Sequence, residues 1–487
     1  MTSGQGTLVL AGNGTVSAQV GASGASLKEV SAGADTTTST FSRDIYAYDM
    51  NIIGTGTVAV NGSIIGSLSY QDDGEVILAD GKTIAGSVTN DMMVDAQGTL
   101  TFDGSSMVSV TVGAAGASLK TVNAGATGAT VWFLNDLYAQ TLNVTGMGSV
   151  ILGDGLNGAL SYDGDGFVTL SDNMTITGAV TNDTAVDAQG TLMIDGNGTV
   201  AGQVGSAGAS LKDVNAGVDG KIAAFSGDVY AEHLNVIGTG DVMLNADLNG
   251  SLSYDGDGIV TLADNGTIIG DVANDTGADL QGVLNLAGNG TVVGQIGAAG
   301  SALKQVNAGE EATSSTFSGD IYTQIMNITG TGGVLLDGNL NGVLSYQDDG
   351  VVTLADEMTI TGPVTNDTLT DGQGTLIIAS YATVSAQIGD TGAALKAVDA
   401  GADTTEVSFT ADVYAQTLNV IGTGLVTFEA GLNAAVSYDD DGVVVIADAM
   451  TLTGAVTNDT GVNGQGALVL AGNGAVVGQV GSAGASL

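Results

Sequence analysis

Thr7-Leu8-Val9-Leu10, then Ala11-Gly12-Asn13-Gly14, then Thr15-Val16-Ser17-Ala18-Gln19-Val20 is the stretch that sets the fold class. Two short runs of β-branched and aliphatic residues flank a turn written in Gly and Asn. Alternation at a period of two makes each run a strand. The same grammar returns over 54–70 and 74–88. Helix signals are nearly absent: only 25–30, containing Leu27 and Lys28, reads as a helical turn, and six residues are too few to stand alone. The chain is read as all-β.

Working outward, the stretch recurs every 92 residues without insertion or deletion. The glutamine before it falls at Gln5, Gln97, Gln189, Gln281, Gln373 and Gln465. Lys28, Lys120, Lys212, Lys304 and Lys396 keep the same step, as do Tyr70, Tyr162, Tyr254, Tyr346 and Tyr438. The organisation is therefore a leader at 1–4, five repeats at 5–96, 97–188, 189–280, 281–372 and 373–464, and a partial sixth at 465–487. Side chains drift between copies while length does not, which fits recent duplication and equally fits stacked layers in which one extra residue would displace every later layer.

Composition narrows the architecture. The 78 glycines and 44% hydrophobic residues, with only 4% aromatic, predict a thin, regular aliphatic core. One all-β solution is a string of β-sandwich domains; the other is a right-handed parallel β-helix, a β-solenoid with four or five rungs per repeat. A sandwich favours a recurring buried ring and linkers. Here Trp132 is alone, its counterparts being Thr40, Ala224, Thr316 and Ser408, and Pro363 is the single proline. The reading favours the β-solenoid built from 92-residue repeats, for which rungs at about 4.8 Å predict a rod of roughly 100 to 125 Å.

Charge and cysteine usage exclude several functions. Fifty-two Asp and Glu against eight Lys and Arg give a formal charge of -44. Phosphate backbones and anionic membranes need clustered basic residues, so no nucleic acid partner is expected. No run of about 18 apolar residues occurs, so no membrane insertion by this segment is expected. The absence of cysteine points to stability from repetition, or to export of an unfolded, uncrosslinked chain. Residues 1–6 do not read as a signal peptide, and Leu487 stops one residue before the next repeat lysine, so the chain reads as a piece of something longer.

The run Gly21-Ala22-Ser23-Gly24-Ala25-Ser26-Leu27-Lys28-Glu29-Val30-Ser31-Ala32-Gly33, followed by Phe41-Ser42-Arg43-Asp44-Ile45-Tyr46-Ala47, resembles passenger repeats of rickettsial-type outer-membrane surface antigens, which are autotransporters. It returns at 113–125, 205–217, 297–309 and 389–401. The resemblance implies a secreted, cell-surface β-helical passenger used in adhesion or surface layers, without the family's C-terminal translocator barrel in this chain.

The candidate sites are acidic turns. Asp72 and Asp73, Asp163 and Asp165, Asp255 and Asp257, Asp348 and Asp349, and Asp439 and Asp441 put paired carboxylates at one corner of each repeat. Hard cations take six to eight oxygen ligands, which makes calcium a candidate, although Asp and Gly are also what a tight turn demands, and neither the helix-flanked nor the nonapeptide calcium motif fits. A second corner, Asn90-Asp91 and its counterparts at Asn182, Asn274, Asn366 and Asn458, reads as a structural asparagine ladder, with incidental Asn-x-Thr triplets. Tyr46, Tyr138, Tyr230, Tyr322 and Tyr414 are read as core. His233 and Arg43, each the only one of its kind, have unrelated counterparts and read as surface substitutions; no catalytic constellation assembles, and no enzyme activity is expected. Two functions remain: an adhesive stalk meeting a receptor on a host or neighbouring cell, or a self-associating filament or surface layer, assembled with calcium.

Overall fold

The computed structural model describes residues 3–487 and contains strands but no helix. Two compact units, Met1–Asn245 and Ala246–Leu487, divide within the third repeat. Each is a β-solenoid of parallel strands with about 20 residues per turn. Of the leader at 1–4, residues 1 and 2 lie outside the described residues, while the Gly4 amide donates to the Ser26 carbonyl at 2.8 Å and so belongs to the first turn.

Alternation explains the strands locally. In Thr57–Val60 the outward residues are Thr57 and Ala59 while Val58 and Val60 are fully buried. Glu75–Leu78 stacks on it in register, Val58 on Val76 and Val60 on Leu78. These four-residue strands make one face of the turn. The longer strands Ile45–Ile52 and Ile64–Tyr70 make two more faces, because a register shift between Tyr46 and Asp49 bends each into two halves. Gly66 is required at that bend: a Cβ there would lie 1.8 Å from the Ala47 carbonyl oxygen. The segment read as a helical turn at 25–30 is instead a corner followed by the strand Leu27–Ala32, whose Leu27 pairs with Ala47 on the next turn. Neighbouring strands on adjacent turns override a six-residue helical preference.

Turns differ in length. Asp49 pairs with Ser67, eighteen residues on, and Val112 with Leu137, twenty-five on. The repeat therefore closes on a fraction of a turn. Thr7, Glu29, Asp49 and Ser67 stack in one file, and Leu68 then pairs with Val88, completing four turns. Thr99, the counterpart of Thr7, does not join that file; it pairs with Glu75 on the short-strand face. Each repeat thus spans four and one third turns, and the next begins one face on. All three faces move together, since Leu156 leads through Ile176 and Val200 to Phe225, and Leu160 through Val180 and Val204 to Val229. The second unit shows the same exchange in Leu340, Ile360, Val384 and Phe409.

The core is a narrow column of Val, Ile, Leu and Ala with two aromatic positions that recur in every repeat, to which Phe102 and Phe428 add one each. Phe41, Phe133, Phe225, Phe317 and Phe409 occupy one and the Tyr70 series the other, all buried.

Candidate functional site

The acidic corner is built from the repeat junction upward. In sequence register it has three positions, and only the third is always aspartate: Asp73, Asp165, Asp257, Asp349 and Asp441. One oxygen of Asp73 accepts the Gly98 amide of the next turn at 3.1 Å; the other meets the Lys120 ammonium of the turn after at 2.6 Å. Asp257 does the same with Gly282 at 3.0 Å and Lys304 at 2.8 Å, and Asp349 with Gly374 at 3.2 Å and Lys396 at 2.6 Å. In the second copy Asp165 accepts Gly190 at 3.1 Å with Lys212 looser at 3.9 Å, and Asp441 accepts Gly466 at 3.0 Å. At the first four junctions the carboxylate so clips three successive turns, and at the fifth Asp441 joins two. The recurring lysine has its explanation here.

The glycine at the clip has no freedom to change. Gly98 sits at φ +84° with the Tyr70 ring against it, so a Cβ would fall 2.5 Å from ring carbons; Gly190, Gly282, Gly374 and Gly466 repeat the contact. The buried tyrosine hydroxyl then donates to the carbonyl one residue beyond, Tyr70 to Thr99 at 2.8 Å and Tyr254 to Val283 at 2.7 Å. Burial pushes the phenols of Tyr70, Tyr162, Tyr254 and Tyr346 up from the ordinary value near 10. A raised folded-state value means that stability is complete below about pH 10 and declines above it, by about 1.4 kcal/mol per pH unit per tyrosine. The core tyrosinate absorbance is therefore expected to appear together with loss of the β circular dichroism signal, not before it.

The first two corner positions do different work. Asp72 and Asp348 each accept the following backbone amide at 2.8 Å, a local turn contact. Asp163, Asp255 and Asp439 occupy the first position, each accepting a serine hydroxyl at 3.4 Å from Ser161, Ser253 and Ser437. Burial, and then the nearby Asp183, push the Asp163 carboxyl up. So the ten candidate calcium ligands are brought to one kind of corner, but as separate contacts: two oxygens of the third aspartate are already engaged by an amide and, at four junctions, a lysine. Among the described residues no group of three or more His, Asp or Glu converges as metal ligands do.

The lysine contact is half-exposed, with Lys304 and Asp257 side chains 47% and 29% accessible, so screening limits its value. Lys304→Met is expected to lower stability by less than about 1 kcal/mol, and by less still in about 1 M salt. Asp257→Ala is expected to cost about 1–3 kcal/mol because the Gly282 amide, which is buried, is left without its acceptor. Urea midpoints of the two variants at low and high salt separate these contributions.

The asparagine corner engages the backbone, but it is not the expected ladder, since each asparagine bonds its own corner and the next turn rather than another asparagine. Asn182 is 4% exposed; its Nδ2 donates to Val186 in its own corner and to Ser210 on the next turn, both at 2.8 Å, while Oδ1 accepts the Thr184 amide at 3.1 Å and hydroxyl at 2.6 Å. The Asn-Asp-Thr triplet is thus a turn device, and its amide nitrogen is not presented for glycosylation in the folded chain. The accompanying Asp183 accepts the Ser161 hydroxyl at 2.7 Å.

Tyr46, Tyr138, Tyr230, Tyr322 and Tyr414 correct the expectation that they are core: all five are only half-buried. Ile45 and Ala47 point inward, and strand alternation turns Tyr46 outward. His233 lies on the surface with its side chain 48% accessible, 3.9 Å from Glu232, and Arg43 is exposed. Scans against models of known families, curated proteins and solved structures return no match.

Proposed function

We propose that this chain is a non-catalytic structural array: the repeat region of a large secreted bacterial cell-surface protein, acting as adhesin passenger or stalk. What repeats supports this. The groups copied at every junction are a clip, a buried ring and an asparagine corner, each engaged with the backbone of a neighbouring turn and none left with the open coordination or reactive partner that chemistry needs. The resemblance of 21–33 to passenger repeats of rickettsial-type surface antigens is in keeping with that role.

The observation that carries the stalk over a one-sided surface lattice is the third-of-a-turn offset. A flat lattice joined along one face needs that face to present the same surface at each repeat, whereas here successive copies turn it to a new side. A charge of -44 adds mutual repulsion between parallel chains. Sedimentation of the purified chain with calcium and then with chelator, followed by negative-stain imaging, tests the reading. One unchanged, non-associating species in both is expected; filaments or sheets that form in calcium and dissolve in chelator would overturn it.

A further inference from the structure

Repeat four carries on one face three polar side chains that no other full repeat carries together. Asn285 stands where the other full repeats have Val9, Thr101, Met193 and Ile377; Gln305 where they have Glu29, Thr121, Asp213 and Ala397; Glu310 where they have Ala34, Ala126, Val218 and Ala402. The three substitutions are scattered over 26 positions of sequence, yet they line one groove of about 600 Å³ together with Asn307, Asn327 and Gln347. All of it lies within the second unit.

The register explains the convergence. Asn285 pairs with Asn307 and Asn307 with Asn327 on successive turns, so their outward side chains stand in one file. Asn307 Nδ2 donates to Asn285 Oδ1 at 2.6 Å, Asn327 Nδ2 to Asn307 Oδ1 at 2.8 Å, and Gln347 Nε2 to Asn327 Oδ1 at 3.1 Å. Gln305 buttresses the file from the side, its Nε2 donating to Asn307 Oδ1 at 2.7 Å. The other repeats hold shorter versions, such as Asn143 on Asn123 at 3.0 Å and Asn235 on Asn215 at 2.8 Å.

We propose that this groove is a binding site for a neutral, linear polysaccharide. A primary amide has two N–H groups and two acceptor lone pairs, and the ladder uses one N–H of each; Asn327, 5% exposed, is the covered link, while Asn285 and Asn307 on adjacent turns and Gln347 beyond keep a donor facing the groove. Adjacent turns are spaced about 4.8 Å apart. Sugar hydroxyls donate and accept at once and come at a similar step along an extended pyranose chain, so they match a file of amides in both chemistry and period. Glu310 offers a further acceptor, and Ile325 an apolar floor for a sugar face. The ligand is neutral because the strong negative charge of the chain repels an anionic one, and the groove's amides recognise hydroxyls rather than charge. This combination of polar residues occurs once in the chain, which gives one site, and this assignment stands whether or not the array is a stalk.

The test uses the full chain and calorimetric titration with neutral cellohexaose, laminarihexaose and xylohexaose, and an anionic hexagalacturonate. At least one neutral hexasaccharide is expected to bind with one site per chain and the uronate not at all. The variant Asn285→Thr, Gln305→Thr, Glu310→Ala installs residues that repeat two already carries at Thr101, Thr121 and Ala126, so it keeps its fold; affinity is expected to fall at least tenfold. The reciprocal graft, Thr101→Asn, Thr121→Gln, Ala126→Glu and Asp163→Gln, is expected to raise the stoichiometry to two. No binding of any neutral hexasaccharide at millimolar concentration, equal binding of the uronate, or unchanged affinity in the first variant would each overturn the assignment.

Discussion

Gly98→Ala is expected to destabilise the first unit by about 2–5 kcal/mol, combining about 1–2 for a Cβ in the left-handed region with about 1–3 for an overpacked core. The methyl has nowhere to go: Tyr70 is fully buried, its ring lies 2.5 Å from the new carbon, and its hydroxyl is tied to the Thr99 carbonyl. Displacing the ring would break that bond, and shifting the glycine would break the amide contact to Asp73. Gly116→Ala is the control, because Gly116 has φ +77° but open space around it. It is expected to cost only the conformational part, about 1–2 kcal/mol. Urea midpoints of the two variants check the prediction; equal losses would mean that the Tyr70 ring does not pin the junction.

Asn274→Asp should be comparably damaging, despite its near-identical shape. Asn274 is 3% exposed; its Nδ2 donates to the Ala278 carbonyl at 2.8 Å and to the Ala302 carbonyl of the next turn at 2.9 Å, while Oδ1 accepts the Thr276 amide and hydroxyl. Aspartate keeps the acceptor and replaces the donor by a buried negative oxygen facing two carbonyls. The expected loss at neutral pH is about 3 kcal/mol or more. Such an acid has its folded-state pKa raised, so the penalty is present above that value and shrinks as pH falls through it, when the protonated oxygen can again donate to one carbonyl. Comparing the variant with the parent chain from neutral to mildly acid pH reads this out. A gap that stays constant with pH would remove the donor role from Asn274.

Much of this was legible in the sequence. The 92-residue period gave the repeat, and two-residue alternation gave the strands and most of the core. The third corner aspartate was also visible, since Asp73 recurs in register while Asp72 is answered by Gly164 and Gly256; what it does was not, because Gly98 and Lys120 lie one and two turns away. Gly98 also recurs in register after the repeat glutamine, but so do many of the 78 glycines, and its meaning depends on a ring 28 positions earlier. The error at Tyr46 was avoidable: hydrophobic neighbours on both sides of a residue in a strand place it on the opposite face. The offset between repeats was hidden for another reason. Turns range from eighteen to twenty-five residues, so no count of residues alone tells where 92 will close.

That offset is the claim on which the arrangement of every surface feature rests, and a chain without cysteine allows a direct test. Thr169 pairs with Met193 on the following turn, both outward, because the short-strand face of repeat two continues as a long-strand half in repeat three. If repeats instead kept a whole number of turns, Thr169 would stack beneath the short strand Gly198–Val200 and its outward Thr199. Paired cysteines at Thr169 and Met193, and separately at Thr169 and Thr199, distinguish the two by oxidative crosslinking of the folded chain. Rapid, near-complete crosslinking of the first pair and none of the second is the predicted result; crosslinking of the second in place of the first would contradict the four-and-one-third-turn repeat.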